Sequence, residues 1–192
     1  ENGRLVSDSK GKANILLEQF KSVFTKNISS TLPPLNQIQD NIPPLIISVQ
    51  GVTKLLQQLK TGKAPGPDSI PNIVLKTLAN SIAPILTTIF QSSVNSGSLP
   101  KDWLGANISS AFKKGDRHDP SNYRPISLTS VPCKLLEHII CRHIMNFLDS
   151  HNVLTNLNHG FRSGYSTETQ LITTTHDLLR SYDQGRQLDM AI

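Results

Sequence analysis

Four cationic side chains fall within a short stretch of the chain: Lys113, Lys114, Arg117 and Arg124. Lysine offers a point charge and arginine a planar fork of donors, so such a cluster suits a ligand that carries several phosphates. The alternating pattern over 106–112 predicts a short strand before the cluster, and 123–128 predict a second extended segment after it. On charge alone, a solvated basic loop is the simpler interpretation.

The segment between the two predicted strands has the composition of a turn. Gly115 can adopt a positive φ, and Asp119-Pro120 followed by Ser121-Asn122 prolongs the loop. We therefore predict a hairpin that holds the four cations close together.

A second candidate is the glycine-rich loop from Asn158 to Thr167. Gly160 and Gly164 would let the backbone approach a ligand closely, while Phe161 and Tyr165 offer faces for a base or a sugar. The alternative is a loop leading into a helix, in which Phe161 is simply a core residue. Spacing alone does not separate the two interpretations.

Other chemistries find less support. The glycine and lysine of Lys63–Asp68 do not form a phosphate-binding P-loop, because the spacing differs and prolines lack N–H donors. The cysteines and histidines at 133–143 do not predict a zinc site, since Cys141 and His143 point roughly 200° apart on a helix. We find no carboxylates paired at a spacing that suggests a metal site, and no serine or cysteine triad.

Composition sets the broad class of protein. The chain has 192 residues, a net charge of +5 and a pI near 9.3, which fit an anionic partner such as nucleic acid. Two cysteines are too few for a secreted disulfide framework, and neither a signal peptide nor a membrane span is present. We therefore predict an intracellular protein of the cytoplasm or nucleus.

Helical periodicity and capping residues predict a mostly helical α+β fold with a small β-hairpin. Trp103 is predicted to be a core residue, and the proline pairs within 27–47 predict a linker. The first predicted helix runs from about 10 to 25 after a Ser9 cap, the second begins after a Ser48 cap, and the third has Pro71 in its first turn. The fourth runs from a Ser81 cap to Gly97, the fifth from a Ser130 cap to about Ser150, and the sixth from Ser166 or Thr167 to Gly185. A strand is predicted over 187–192.

Several ordered motifs now carry a resemblance. Lys63–Asp68, Lys113–Asp116, Asn122–Leu128 and His159–Arg162 stand in the order found in reverse transcriptases of non-LTR (LINE-type) retrotransposons, and the chain resembles the jockey-like branch most closely. The resemblance covers about 20–192. It implies the incomplete fingers and the start of the palm of a right-hand polymerase, with a helix and proline-rich connector at 1–47 and the reverse transcriptase domain over 48–192.

The resemblance also implies roles for individual residues. Arg124 matches the arginine expected to grip the triphosphate of the incoming nucleotide, and Lys113 and Lys114 match a basic fingertip over the same phosphates or the template. The loop placed near the template and the nucleotide pocket is matched by Gly160, Phe161 and Arg162. One departure is Asn158, near a position where the family usually has glutamine.

The resemblance further implies an RNA-directed DNA polymerase that acts on an RNA template, a DNA primer and dNTP. Nucleotidyl transfer in this family uses two magnesium ions held by palm carboxylates. We expect the first of these aspartates beyond Ile192, in a missing C-terminal palm that a thumb would follow, and we do not assign Asp189 as a ligand. The fragment is thus predicted to hold no catalytic residue, metal or cofactor of its own, although Mg²⁺ is expected for the full-length polymerase.

Two classes of function remain open. The chain is either a reverse transcriptase fragment that binds template–primer and dNTP phosphates, or a non-catalytic nucleic-acid-binding or interaction remnant of a transposon. Neither class places it in a membrane.

Overall fold

The computed structural model describes residues 5–24 and 41–187. Within these residues the chain forms six α-helices and two strands, which confirms the predicted α+β fold. The elements are α1 (Ser9–Ser22), α2 (Val49–Gln57), α3 (Asn72–Thr77), α4 (Ala79–Ser96), β1 (Ala106–Phe112), β2 (Tyr123–Thr129), α5 (Val131–Ser150) and α6 (Thr167–Asp183), with 3₁₀ turns at Lys101–Trp103 and Pro120–Asn122.

The chain divides into two compact units, Glu1–Cys141 and Arg142–Ile192. The predicted boundary after residue 47 stays a prediction. Most of the predicted linker, the predicted strand beyond Gln187 and Asp189 lie outside the described residues.

The hydrophobic core of the first unit joins α2, α4 and the start of α5. Leu56 and Phe90 are fully inaccessible to solvent, and Leu136 nearly so. The ring of Trp103 meets Phe90 edge to face, with centroids 5.7 Å apart, which confirms Trp103 as a core residue. Trp103 itself is half-buried and packs against the edge of this core.

Three of the predicted helix starts are confirmed. Ser48 accepts a hydrogen bond from the Gly51 amide at 3.1 Å, and Ser130 accepts one from the Cys133 amide at 3.4 Å. Of the two predicted starts of α6, Ser166 is the cap, and its capping box is completed by Thr169.

Other predicted helix starts were wrong by a few residues. The cap of α1 is Asp8, whose carboxylate accepts from the Gly11 amide at 2.7 Å, because a carboxylate caps the exposed amides as well as a hydroxyl does. Pro71 precedes the first turn of α3. α4 begins at Ala79 without a side-chain cap, ahead of the predicted Ser81.

The predicted apolar stripes on α1 and α6 are not buried. Neither helix contains a buried residue, and in α6 Leu171, Leu179 and Tyr182 are all exposed. In α1, which contacts the Pro120–Asn122 turn and β2, Leu16 and Phe20 are half-buried. Helical spacing thus identifies an apolar face, whereas the degree of burial depends on the partner surface. No helix within these residues is long and apolar enough to cross a membrane.

The turn at Lys63–Asp68 supports the base of the hairpin. Gly66 is buried, and a Cβ atom at this position would lie 2.6 Å from the Ser130 N and Cα atoms and from the Thr129 carbonyl carbon. Ser130 is itself completely buried. The turn therefore packs backbone against backbone at the junction where β2 ends and α5 begins.

Candidate nucleotide and nucleic-acid interface

The register of the hairpin separates its two faces. β1 and β2 are antiparallel, with Ala111 opposite Arg124 and Phe112 opposite Tyr123. The Lys113 amide continues the pairing by donating to the Asn122 carbonyl at 2.8 Å. Residues directly opposite one another share a face and successive residues alternate. Lys113 and Arg124 therefore lie on one face of the hairpin, and Phe112 and Tyr123 lie on the other.

The three predicted phosphate-binding side chains are open to solvent. Lys113, Lys114 and Arg124 are all exposed, and none of their side chains has a hydrogen-bond or ion-pair partner among the residues that the structure describes. Their charges are thus available to an anionic ligand.

Arg117 does not join this group. Its guanidinium carbon lies 4.6 Å from the centroid of the Phe112 ring, and Phe112 meets Tyr123 edge to face at 5.5 Å. The prediction that all four cations cluster was therefore wrong for Arg117, because the attraction between its guanidinium and an aromatic ring draws it to the opposite face.

Side-chain hydrogen bonds hold the tip of the hairpin in place. Gly115 has a φ of 90° and packs beside Asn122, whose amide donates to the Asp116 carbonyl at 3.0 Å. The Tyr123 hydroxyl donates to the Arg117 carbonyl at 2.9 Å. These contacts cross the loop, so the tip is ordered before any ligand arrives.

Asp116 and His118 are hydrogen-bonded to each other at the tip. One Asp116 carboxylate oxygen accepts from the His118 amide and faces its Nδ1, each at 2.9 Å. The backbone hydrogen bond first, and then the side-chain bond, hold the pKa of Asp116 below its usual value.

In the second unit, the Asn158–Thr167 loop presents Phe161 to solvent. Phe161 is 108% exposed, which excludes the core alternative for this side chain. Its φ is 60°, a left-handed conformation that is uncommon for a bulky residue. The preceding turn is closed by the Asn158 side chain, which accepts from the Gly160 amide at 3.0 Å.

Arg162 is engaged within its own loop. Its guanidinium donates to the Thr155 carbonyl at 2.8 Å and to the Asp149 carboxylate at 3.4 Å, and the side chain is only 13% exposed. It also lies 4.5 Å from the centroid of the Tyr165 ring. His159 meets the same ring edge to face at 4.7 Å, so Tyr165 is covered by two neighbours.

The described carboxylates do not fit a magnesium site. Within 5–24 and 41–187, no group of three or more histidine, cysteine, aspartate or glutamate side chains could hold a metal ion. Cys133 is buried, and burial, followed by the nearby Glu137 charge, raises the pKa of its thiol.

Comparison with known proteins finds similar sequences among RNA-directed DNA polymerases. No family model matches the chain. It is 28% identical over 94% of its length to "Probable RNA-directed DNA polymerase from transposon BS" of Drosophila melanogaster, and 29% identical over 86% to "Probable RNA-directed DNA polymerase from transposon X-element" of the same species. Over 78% of the chain, it is 27% identical to the RNA-directed DNA polymerase from mobile element jockey.

The chain is a relative of the RNA-directed DNA polymerases of non-LTR retrotransposons. The resemblance to the jockey-like branch is thereby confirmed. The chain spans only about a fifth of the length of these relatives. The roles assigned to Lys113, Lys114 and Arg124, and to the Gly160–Arg162 loop, stay predictions.

Proposed function

We propose that this chain is the part of a reverse transcriptase that binds the template–primer and the phosphates of the incoming dNTP. The similarity to RNA-directed DNA polymerases over most of the chain carries the proposal. The exposed cations of an ordered hairpin support it, because phosphoryl transfer depends on positioning and positive charge more than on protein nucleophiles.

In this proposal, the hairpin face that carries Lys113 and Arg124 contacts the phosphates of the dNTP and of the template–primer, together with Lys114. Arginine can form two parallel charge-assisted hydrogen bonds to one phosphate, while the lysines add charge without a fixed direction. The Gly160–Arg162 loop contacts the template through Phe161. Arg162 positions this loop, since its donors are already engaged by Thr155 and Asp149.

The test is binding of a fluorescent RNA–DNA template–primer and of inorganic triphosphate to the 192-residue chain. We expect the triple variant Lys113→Ala, Lys114→Ala and Arg124→Ala to weaken both by at least about ten-fold, because three charge-assisted contacts are lost. Fluorescence anisotropy measures the first ligand and competition measures the second.

A control with the same change in charge is Lys54→Ala, Lys101→Ala and Arg186→Ala. These residues are exposed and lie outside the hairpin. We expect this control to bind nearly as well as the parent chain. Equal loss in both triple variants would show that only net charge matters, and unchanged affinity in the hairpin variant would exclude the assigned surface.

The chain alone is expected to show no primer extension with Mg²⁺. The described residues provide no carboxylate cluster for the metal ions that the reaction uses. Incorporation of labelled dNTP above a control without protein would contradict this expectation.

A further inference from the structure

We propose that the Arg117, Phe112 and Tyr123 face of the hairpin is a stacking platform for a base of single-stranded template RNA. This platform is distinct from the face that carries Lys113 and Arg124. The inference rests on the proposed function and deepens it, because it assigns a template base to one face of the hairpin and phosphates to the other.

The geometry of the platform provides a stacking surface. The guanidinium of Arg117 covers one side of the Phe112 ring at 4.6 Å, while Arg117 as a whole remains exposed. A guanidinium has two flat faces, and the face turned away from the ring can receive a base. Stacking of unpaired bases on aromatic rings and arginine planes is a common mode of RNA recognition.

Arg162 provides a comparison within the same chain. It also stacks on an aromatic ring, but both of its terminal nitrogens donate to partners within the loop and its side chain is only 13% exposed. Arg117 stacks in the same way, yet its guanidinium has no hydrogen-bond partner within 5–24 and 41–187. Its donors are thus left for a ligand.

The platform is ordered before binding. The Arg117 carbonyl accepts from the Tyr123 hydroxyl at 2.9 Å, and the Tyr123 ring packs against Phe112 at 5.5 Å. Each of the three residues is therefore held by another of the three. Because little side-chain freedom remains to be lost on binding, a contact here contributes more of its interaction energy to affinity.

The nearby acidic residues do not prevent an anionic strand from approaching. Asp116 is paired with His118, and the Asp119 carboxylate accepts from the Ser121 amide at 2.9 Å. The hairpin from Lys113 to Arg124 carries four cationic residues against these two aspartates. The phosphates next to a stacked base therefore meet a net positive charge.

The decisive variant is Arg117→Lys, which keeps the charge and removes the plane. We expect its affinity for a short fluorescent single-stranded RNA to fall about five-fold or more, the loss expected for one stacked base. Affinity for inorganic triphosphate should be unchanged. Arg186→Lys is the matched control, since Arg186 is exposed and lies outside the hairpin.

An abasic strand of the same length separates stacking from charge. The parent chain should bind it more weakly than RNA, and the difference between the two strands should be smaller for the Arg117→Lys variant, in which Phe161 is unchanged. Phe112→Leu removes the lower ring and should reproduce the loss. Circular dichroism of each variant establishes that it is folded.

Three results would overturn the inference. Equal RNA affinity for the Arg117→Lys variant and the parent would exclude the platform while leaving the proposed function intact. A parallel loss of RNA and triphosphate binding would show a general defect of the hairpin. If the parent chain bound neither ligand, the proposed function itself would fail, and the inference with it.

Discussion

Phe161 combines two properties that seldom occur together in a folded chain. It is completely exposed, so its ring contributes no burial, and its φ of 60° is strained for a residue with a Cβ atom. Strain of this kind costs about 1–3 kcal/mol and occurs most often at functional positions. The residue is therefore better suited to contact a ligand than to stabilise its loop.

Phe161→Gly is expected to keep the chain as stable as the parent to within about 1 kcal/mol, because relief of strain offsets the greater entropy of the unfolded chain. RNA affinity should fall, since the stacking face is lost. Urea unfolding and anisotropy measure the two effects. Phe161→Ala is the control: it retains the strain and should be the less stable variant. A loss of more than about 2 kcal/mol in Phe161→Gly would show that the ring is packed.

Asp116 provides a pH-dependent contact at the hairpin tip. Its pKa is lower in the folded chain because the His118 amide and side chain stabilise the carboxylate. The contribution is therefore fully present above the usual aspartate pKa, about 3.9, and is lost as the pH falls through the lower folded value.

The His118 amide proton should report this titration by NMR. Its midpoint is expected below the midpoint of Asp116 in the urea-unfolded chain, and Asp116→Asn should abolish it. A folded midpoint equal to or above the unfolded one would show that the carboxylate gains nothing from His118.

At the scale of elements, the hairpin depends on a turn that lies far from it in sequence. Gly66 meets the backbone of Thr129 and Ser130, between the end of β2 and the start of α5. Any side chain at this position would have to push β2 and α5 apart, because the atoms that it would meet belong to the backbone and not to a flexible side chain.

Gly66→Ala is expected to destabilise the chain by about 1–3 kcal/mol, the usual cost of inserting a methyl group into a packed site. Gly62→Ala is the matched control in the same turn, because a Cβ atom there would meet nothing within 4 Å. It should be neutral or slightly stabilising. Urea unfolding compares the two variants, and equal stabilities would show that the turn does not pack against Ser130.

At the scale of the whole molecule, charge determines what the chain can bind. A net charge of +5 favours any nucleic acid, while the exposed hairpin cations concentrate part of that charge on one element. Binding to phosphates releases counterions, so affinity falls with salt in proportion to the number of phosphates contacted.

The salt dependence of the affinity for single-stranded RNA therefore reports how many RNA phosphates the chain contacts. The Lys113, Lys114 and Arg124 triple alanine variant should reduce the slope of log affinity against log salt by about two. The Lys54, Lys101 and Arg186 control should leave the slope nearly unchanged. Identical slopes in all three proteins would show that the hairpin cations do not contact phosphate.

The sequence by itself determined the class of fold, most of the helices, the hairpin and the resemblance to non-LTR reverse transcriptases. These features depend on local periodicity, on turn-forming residues and on ordered motifs, all of which are present in the chain before it folds. The start of α5 at Ser130 and the end of α4 at Gly97 were predictable for the same reason, since a cap is a local contact.

Only the tertiary structure decided which side chains remain available to a ligand. Arg117 and Arg124 are the same type of residue in the same hairpin, yet the strand register and the Phe112 ring place them on opposite faces. Arg162 lies in the His159–Arg162 motif that carries the resemblance, but its two terminal nitrogens already donate to Thr155 and Asp149. Availability depends on partners distant in sequence, and no local pattern encodes where those partners lie after folding.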